Sequence, residues 1–346
     1  MAYHLVIGLE IHVQLNTKTK LFCSCLNEYN PENPNKNICP FCTGQPGALP
    51  ALNRSAVEKA ILFGVAVNGH TPEKTRWDRK NYFYPDSPAG YQISQYDNPI
   101  VEGGRLEFYV DENDNGDFKL SSVELERAHL EGDAAKLIHE NGRTFVDFNR
   151  CTAPLIEIVT KPVIKTTRQA MAFVSELQLL VRKMGISSCD MEKGMMRFDC
   201  NLSLQNDDQF KSGTLANYRV ETKNINSIRA LGRSIEYEIK RQTEILETGK
   251  IPTQETRGWR DDKGVSISQR SKEDAQDYRY FPEPDLKILT IDREKDIPKL
   301  ENLPILPMFQ RARYLEMGLS FQNANTLTVQ ENLGIYFGEL LELCNN

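Results

Sequence analysis

The sequence lacks most of the signatures by which enzymes that handle nucleotides or esters are read. It has no G-x-x-x-x-G-K-[ST] and no G-x-G-x-x-G, so a nucleotide here is held by neither a P-loop nor a Rossmann turn. It has no H-E-x-x-H and no G-x-S-x-G, which leaves out the helical zinc-protease site and the strained serine elbow. No apolar run is long enough to cross a bilayer, and the N-terminus has no signal-peptide arrangement, so the expected location is cytoplasmic, with no membrane partner. Net charge is −6, so there is no global basic field and any contact with phosphates must be local. At 346 residues, 40% apolar and 26% charged, the chain is of ordinary globular composition and large enough for one big or two unequal domains.

What is present begins with Tyr3–Leu15. Leu5, Ile7, Leu9, Ile11, Val13 and Leu15 occupy every second position, as in a strand with one face in a core. The other face carries Gly8, Glu10, His12 and Gln14. Glu10 and His12 then project side by side, roughly 6.5–7 Å apart. For this strand alone, a solvated polar side explains the pattern as well as a shared metal or proton does. The pattern recurs, however. Met195–Leu204 alternates Met196, Phe198, Cys200, Leu202 and Leu204 with Arg197, Asp199, Asn201 and Ser203. Val123–Glu131 puts Arg127, His129 and Glu131 on one face, Leu155–Val159 carries Glu157, and the short strand Arg219–Lys223 carries Lys223.

Glu107–Val110 and Phe118–Val123 flank the turn-rich D-E-N-D-N-G-D and predict a hairpin, and Thr144–Asn149 reads as a further strand. Helices are predicted after a cap at Asn53 or Ser55, after Thr166 or Thr167, and over Ser227–Thr248. Trp77–Ile100, dense in aromatics and prolines and without a period, reads as a long structured loop. The fold class is therefore α+β, a largely antiparallel sheet cradle backed by helices. The texture changes near residue 295, which divides a domain over 1–294 from the start of a helical, partial all-α domain over 295–346.

Eight cysteines in a chain of this kind argue for metal or free thiols over disulfides. Cys23 and Cys25, then after thirteen residues Cys39 and Cys42, form two chelating knuckles in an insertion over 21–45. Four thiolates so spaced suit tetrahedral, structural Zn²⁺; the alternative is free or redox-active thiols. Cys151, Cys189, Cys200 and Cys344 read as core residues. Glu10, His12, Glu131, Glu157, Asp199, Asn201 and Lys223, if convergent, make an oxygen-rich set with one imidazole, which suits Mg²⁺ or Mn²⁺. Arg197 and Lys223 beside them suit phosphate oxygens. D-R-K-N-Y-F-Y-P-D (78–86), with Y-Q-I-S-Q (91–95), reads either as a recognition loop or as an aromatic cluster bracing a sheet edge; a similar cluster recurs at 277–285.

These segments, with V-I-G-L-E-I-H-V-Q-L, F-N-R-C-T-A-P-L-I-E-I-V, M-R-F-D-C-N and E-T-K-N-I-N-S, occur in an order that closely resembles the GatB family, the activating subunits of the glutamyl-/aspartyl-tRNA amidotransferases, in its zinc-bearing branch. The likeness runs from residue 5 to about 290. It implies a fold related to glutamine synthetase and an ATP-dependent carbon–nitrogen ligase of protein biosynthesis. ATP phosphorylates the side-chain carboxylate of Glu-tRNA(Gln) or Asp-tRNA(Asn), and ammonia displaces the phosphate. It implies two protein partners, an amidase (glutaminase) that releases ammonia from glutamine and a small third subunit. Members of the family continue well beyond residue 346, so this chain is expected to be short at that end.

By the same likeness His12, Glu131 and Glu157 correspond to Mg²⁺ ligands, and Glu10 sits where a second, ATP-linked ion would be held. Glu10, His12, Lys80, Tyr82 and Asp199 fall at catalytic positions, and Tyr84, Arg197, Asn201, Lys223 and Asn224 at positions that bind ATP or substrate. The rival readings are a zinc-stabilised tRNA-binding module without catalysis and a metal-dependent phosphohydrolase.

Overall fold

The computed structural model describes residues 3–28, 30–271 and 277–344. In chain order it runs β1 (His4–Gln14), α1 (Arg54–Ala66), the short strands β2 (Lys74–Thr75), β3 (Asp78–Asn81), β4 (Tyr91–Ser94) and β5 (Val101–Glu102), then the hairpin of β6 (Arg105–Val110) with β7 (Lys119–Gly132). A second hairpin, β8 (Lys136–Glu140) and β9 (Arg143–Asp147), precedes β10 (Pro154–Thr160), α2 (Thr167–Lys183) and β11 (Met196–Gln205). Then come α3 (Asp207–Ser212), β12 (Val220–Ile225), α4 (Ile228–Glu247), β13 (Glu255–Arg260) and β14 (Val265–Ser271). Two-residue strands β15 (Phe281–Pro282) and β16 (Leu289–Thr290) follow, and α5 (Pro307–Glu316), α6 (Phe321–Val329) and α7 (Glu331–Cys344) end the described chain.

The main sheet has the order β14-β13-β12-β11-β1-β10-β7-β5, with β6 paired to the outer half of β7. Its pairings are antiparallel except for β12 with β13. The α+β expectation holds. Strand β1 lies at the centre because its alternate side chains Ile7, Leu9, Ile11 and Val13 are all but fully buried, on the face that the helices cover. Helix α2 turns Ala170, Phe173, Val174, Leu177 and Val181 to that face, and α4 adds Leu231 and Ile235. Thr166 caps α2 by accepting from the Gln169 N–H, and Ser227 caps α4 by accepting from Ala230, so the polar ends of both helices are satisfied beside an apolar layer. The opposite face of the sheet is left to polar side chains.

Three expectations need correction. Residues 77–100 are not wholly loop. Strands β3 and β4 pair there, and β15 joins them, with Phe281 opposite Arg79 and Pro282 opposite Asp78. The two aromatic clusters of the sequence thus form one small sheet, whose strands are too short to show a period. Strand Thr144–Asn149 breaks at Asp147, where a single 3₁₀ turn begins, and it pairs with β8, which the sequence did not reveal. Cys344 is exposed at the end of α7, whereas Cys151, Cys189 and Cys200 are buried as expected.

The terminal helices are tied to the sheet region by a buried ion pair. The Arg311 guanidinium donates to both oxygens of Glu176 on α2, at 3.1 and 2.9 Å, and its Nε donates to Asn325 at 3.1 Å. Breaking such a pair strands a buried charge, which typically costs ~3–5 kcal/mol. Arg311→Ala is therefore expected to lower stability by that order in urea denaturation. A variant as stable as the parent would show that the pair holds nothing together.

Candidate active site

The polar face is organised by register. On β1 His12 stands opposite both Glu157 of β10 and Arg197 of β11, and Glu157 in turn stands opposite His129 of β7. Residues directly opposed in an antiparallel pair share a face, so His129, Glu157, His12 and Arg197 form one row across four strands. Two residues along β1, Glu10 stands opposite Asp199. Asn201 stands opposite Glu221 of β12, and the bulge in the β11–β12 pairing brings Lys223 alongside Asp199.

These rows produce two groups. In the first, His12 Nε2 lies 3.3 Å from Glu157 Oε2 and 3.6 Å from Glu131 Oε1, and His129 Nε2 lies 3.4 Å from the same Glu157 oxygen. In the second are Glu10, Asp199 and Glu221. Lys223 Nζ donates to Asp199 at 2.7 Å and reaches Glu221 at 3.1 Å, and the Asn201 amide donates to Glu10 at 3.0 Å. Within each trio the potential ligand atoms lie within 4.8 Å of one another.

The electrostatics follow from burial and crowding. Burial alone would raise Glu157, but the charges and hydrogen bonds of His129 and His12 outweigh it and hold the carboxyl well below its usual range. Burial would likewise lower His12; the hydrogen bond and charge of Glu157 reverse that, and the imidazole is raised. Glu10 is raised by burial and then by Glu157 and Glu221, so the two groups sense each other. Burial opposes the charge of Lys80 too, yet Glu131, Tyr280 and Glu157 outweigh it and raise the ammonium; its Nζ sits 4.8 Å from the Tyr278 ring centroid.

A divalent cation fits these residues. Among the described residues, Glu131 Oε2, His12 Nδ1, His129 Nδ1 and Asn201 Oδ1 are buried and have no hydrogen-bond partner, and carboxylates this close repel unless a cation lies between them. Oxygen donors with imidazole suit Mg²⁺ or Mn²⁺ in the first group, and the all-carboxylate second group suits the same ions.

Cys23, Cys25, Cys39 and Cys42 also converge, with their sulfurs within 4.8 Å of one another and no disulfide among them. Cys42 is the readiest thiolate. The hydrogen bond from Cys23, with the Cys39 N–H at 3.1 Å and the nearby Lys20, lowers it to about 5, despite burial. The set fits a closed tetrahedral Zn²⁺ shell. Its loop is held to the sheet region through Leu21 N–H to Thr152 and the buried Lys20 ammonium to Phe148.

The remaining predicted residues are placed as follows. Arg197 pairs with Asp133 at 3.1 Å. Tyr82 and Tyr84 follow β3, with ring centroids 5.8 Å apart, and Tyr84 is half exposed. Asn224 is exposed with φ +65°, its amide against Gly258 of β13, outside both trios. Sequence reasoning left out three residues that the structure brings in. His129 was visible on the face shared with Glu131, and Glu221 precedes Lys223 by one strand period, but Asp133 lies past the end of β7, where periodicity gives no signal.

The class so defined is an α+β protein whose sheet presents two adjacent carboxylate groups able to hold divalent cations, with lysine and arginine beside them. The family follows from comparison: residues 5–296 match the GatB/GatE catalytic domain, and the chain belongs to that family. It is 45% identical to the GatB-type subunit of the aspartyl/glutamyl-tRNA(Asn/Gln) amidotransferase of Caldicellulosiruptor saccharolyticus, over all of this chain and 70% of that protein. Identity to the corresponding subunits of Helicobacter hepaticus and Ruminiclostridium cellulolyticum is 46% and 47%, over 99% and 97% of this chain and 70% and 68% of theirs.

Proposed function

We infer that this chain is the activating subunit of a tRNA-dependent amidotransferase, an ATP-dependent ligase that turns Glu-tRNA(Gln), Asp-tRNA(Asn) or both into the amide. One observation carries the reading. Two groups of carboxylates share a sheet face with His12, Arg197 and Lys223, in a chain close to half identical to GatB-type amidotransferase subunits. A carboxylate is a poor electrophile because its leaving group would be oxide, and phosphorylation by ATP supplies a good one. The substrate carboxylate oxygen bonds to the γ-phosphorus as ADP leaves; ammonia then attacks the acyl carbon, and phosphate departs.

In this reading His12, Glu131 and Glu157 hold one Mg²⁺, with His129 orienting Glu157, and Glu10, Asp199 and Glu221 hold a second. When bound, the ions neutralise the charge gathered as two anions meet. Lys80, whose charge Glu131 and Glu157 favour, is the ammonium that would attract the substrate carboxylate. Arg197 and Lys223 flank the row where phosphoryl oxygens would lie. Asn201 holds the Glu10 carboxylate in place. Tyr82, Tyr84 and Asn224 would contact ATP or the substrate. The acyl phosphate hydrolyses in water, so ammonia delivered by a partner amidase, with a small third protein to complete the complex, suits a walled site. Zn²⁺ in the cysteine quartet is structural, and residues 295–346 begin a helical unit. No helix among the described residues is long and apolar enough to cross a membrane, in keeping with a cytoplasmic enzyme of translation.

The test is amide formation on each misacylated tRNA with the partner proteins reconstituted. ATP hydrolysis that depends on misacylated tRNA, with amide as product, is expected. A gel shift with tRNA but no such hydrolysis would mark a binding module instead, and turnover of simple phosphate esters without partners would mark a phosphohydrolase.

A further inference from the structure

One buried carboxylate beside the site has no part in the reaction so far. Asp133 follows β7 and is almost wholly buried. Its carboxylate accepts from Arg150 Nε at 2.5 Å, from Arg150 Nη2 at 3.1 Å, from Arg197 Nη2 at 3.1 Å and from the Ala134 N–H at 2.9 Å. Its backbone is pinned as well, because its N–H donates to Ala153 and its carbonyl accepts from Thr152. We propose that Asp133 is a positioning residue: braced by Arg150, it fixes the guanidinium of Arg197 in the row beside His12, turned towards the phosphoryl oxygens of ATP.

Three features favour this over a simple structural pair. The Asp133 side chain is 4% exposed, whereas that of Arg197 is 36% exposed, so Arg197 reaches from a closed clamp into open space. Two guanidiniums share one carboxylate, so Asp133 does not by itself neutralise Arg197. Glu131 and Asp199 also attract Arg197. Freed from Asp133, its guanidinium would swing onto those carboxylates and compete with the cations they are placed to hold. A free arginine loses rotamer entropy when it grips an anion, and anchoring it beforehand removes that loss from the binding step.

This rests on the ligase reading, and a double-mutant cycle in the reconstituted complex separates the two. Asp133→Asn should raise the KM for ATP and cut amide formation by roughly 10²-fold, the order seen when one preorganised donor is lost. The partner's glutaminase should be unchanged. Arg197→Ala should do similar damage, and the double variant should lose no more than Arg197→Ala alone. Asp133→Glu keeps the charge and the fold but shifts the anchor; it should melt with the parent and still show a raised KM for ATP. Losses that multiply in the double variant, or a parental KM in either Asp133 variant, would overturn the proposal. A parent complex without ATP-dependent amide formation would refute the ligase reading and this proposal with it.

Discussion

His12→Ala should abolish ATP-dependent amide formation, a loss of about 10³-fold or more, while the partner amidase goes on hydrolysing glutamine. The argument is geometric. His12 joins Glu131 and Glu157, at 3.6 and 3.3 Å, and among the described residues no other side chain of the central strand enters that trio. Its removal leaves Glu131 and Glu157 with His129 beside both, so cation affinity should fall and anion repulsion rise. Glu157→Gln tests the same point from the other side, since it keeps the shape but strips the charge that both histidines face. Both variants should stay folded, because the apolar face of β1 and β10 is untouched. Coupled steady-state assays of amide and of glutamate release would check this, and normal amide formation by either variant would remove the trio from the mechanism.

The second large effect concerns the cysteine quartet. Cys42→Ser should yield a protein without stoichiometric zinc and with a much lower melting temperature, because structural Zn²⁺ is worth ~10–16 kcal/mol of apparent binding energy in small zinc domains. The consequence reaches beyond the loop. Leu21 and Phe22 lie fully buried just before Cys23, and Phe22 packs edge-on against Trp77, with ring centroids 5.2 Å apart. Thr152 holds Leu21, and the cysteines pack around Cys151 and Ala135. Loosening the quartet should therefore disturb residues 150–153 and, through Arg150, the row of the active site. Metal analysis with calorimetry decides it. A parent that carries no zinc and melts with Cys42→Ser would make these four thiols merely neighbours.

The alternation of β1 and β11 was legible because a period of two over ten residues admits one reading, and it put Glu10, His12, Arg197 and Asp199 on the correct face. Which strands are neighbours was not legible, because hydrogen bonds between segments almost two hundred residues apart leave no local mark. The family likeness had set Glu10 apart from His12, Glu131 and Glu157, but its companions Asp199 and Glu221 emerged only with the register. Glu221 escaped notice on a six-residue strand, and strands β3 and β4 were hidden by their shortness. Cys344 misled because a lone cysteine is usually buried, whereas the last helix leaves it open. The function itself was legible from collinear motifs and not from periodicity, which cannot distinguish a solvated polar face from a working one.

Binding of Mn²⁺ to the full protein, followed by pulsed electron paramagnetic resonance, tests the central claim most directly. The account predicts a nitrogen coupling from a directly bound imidazole in the parent protein that disappears in His12→Ala and survives in His129→Asn. A parent that binds no Mn²⁺, or a coupling unchanged by His12→Ala, would contradict it.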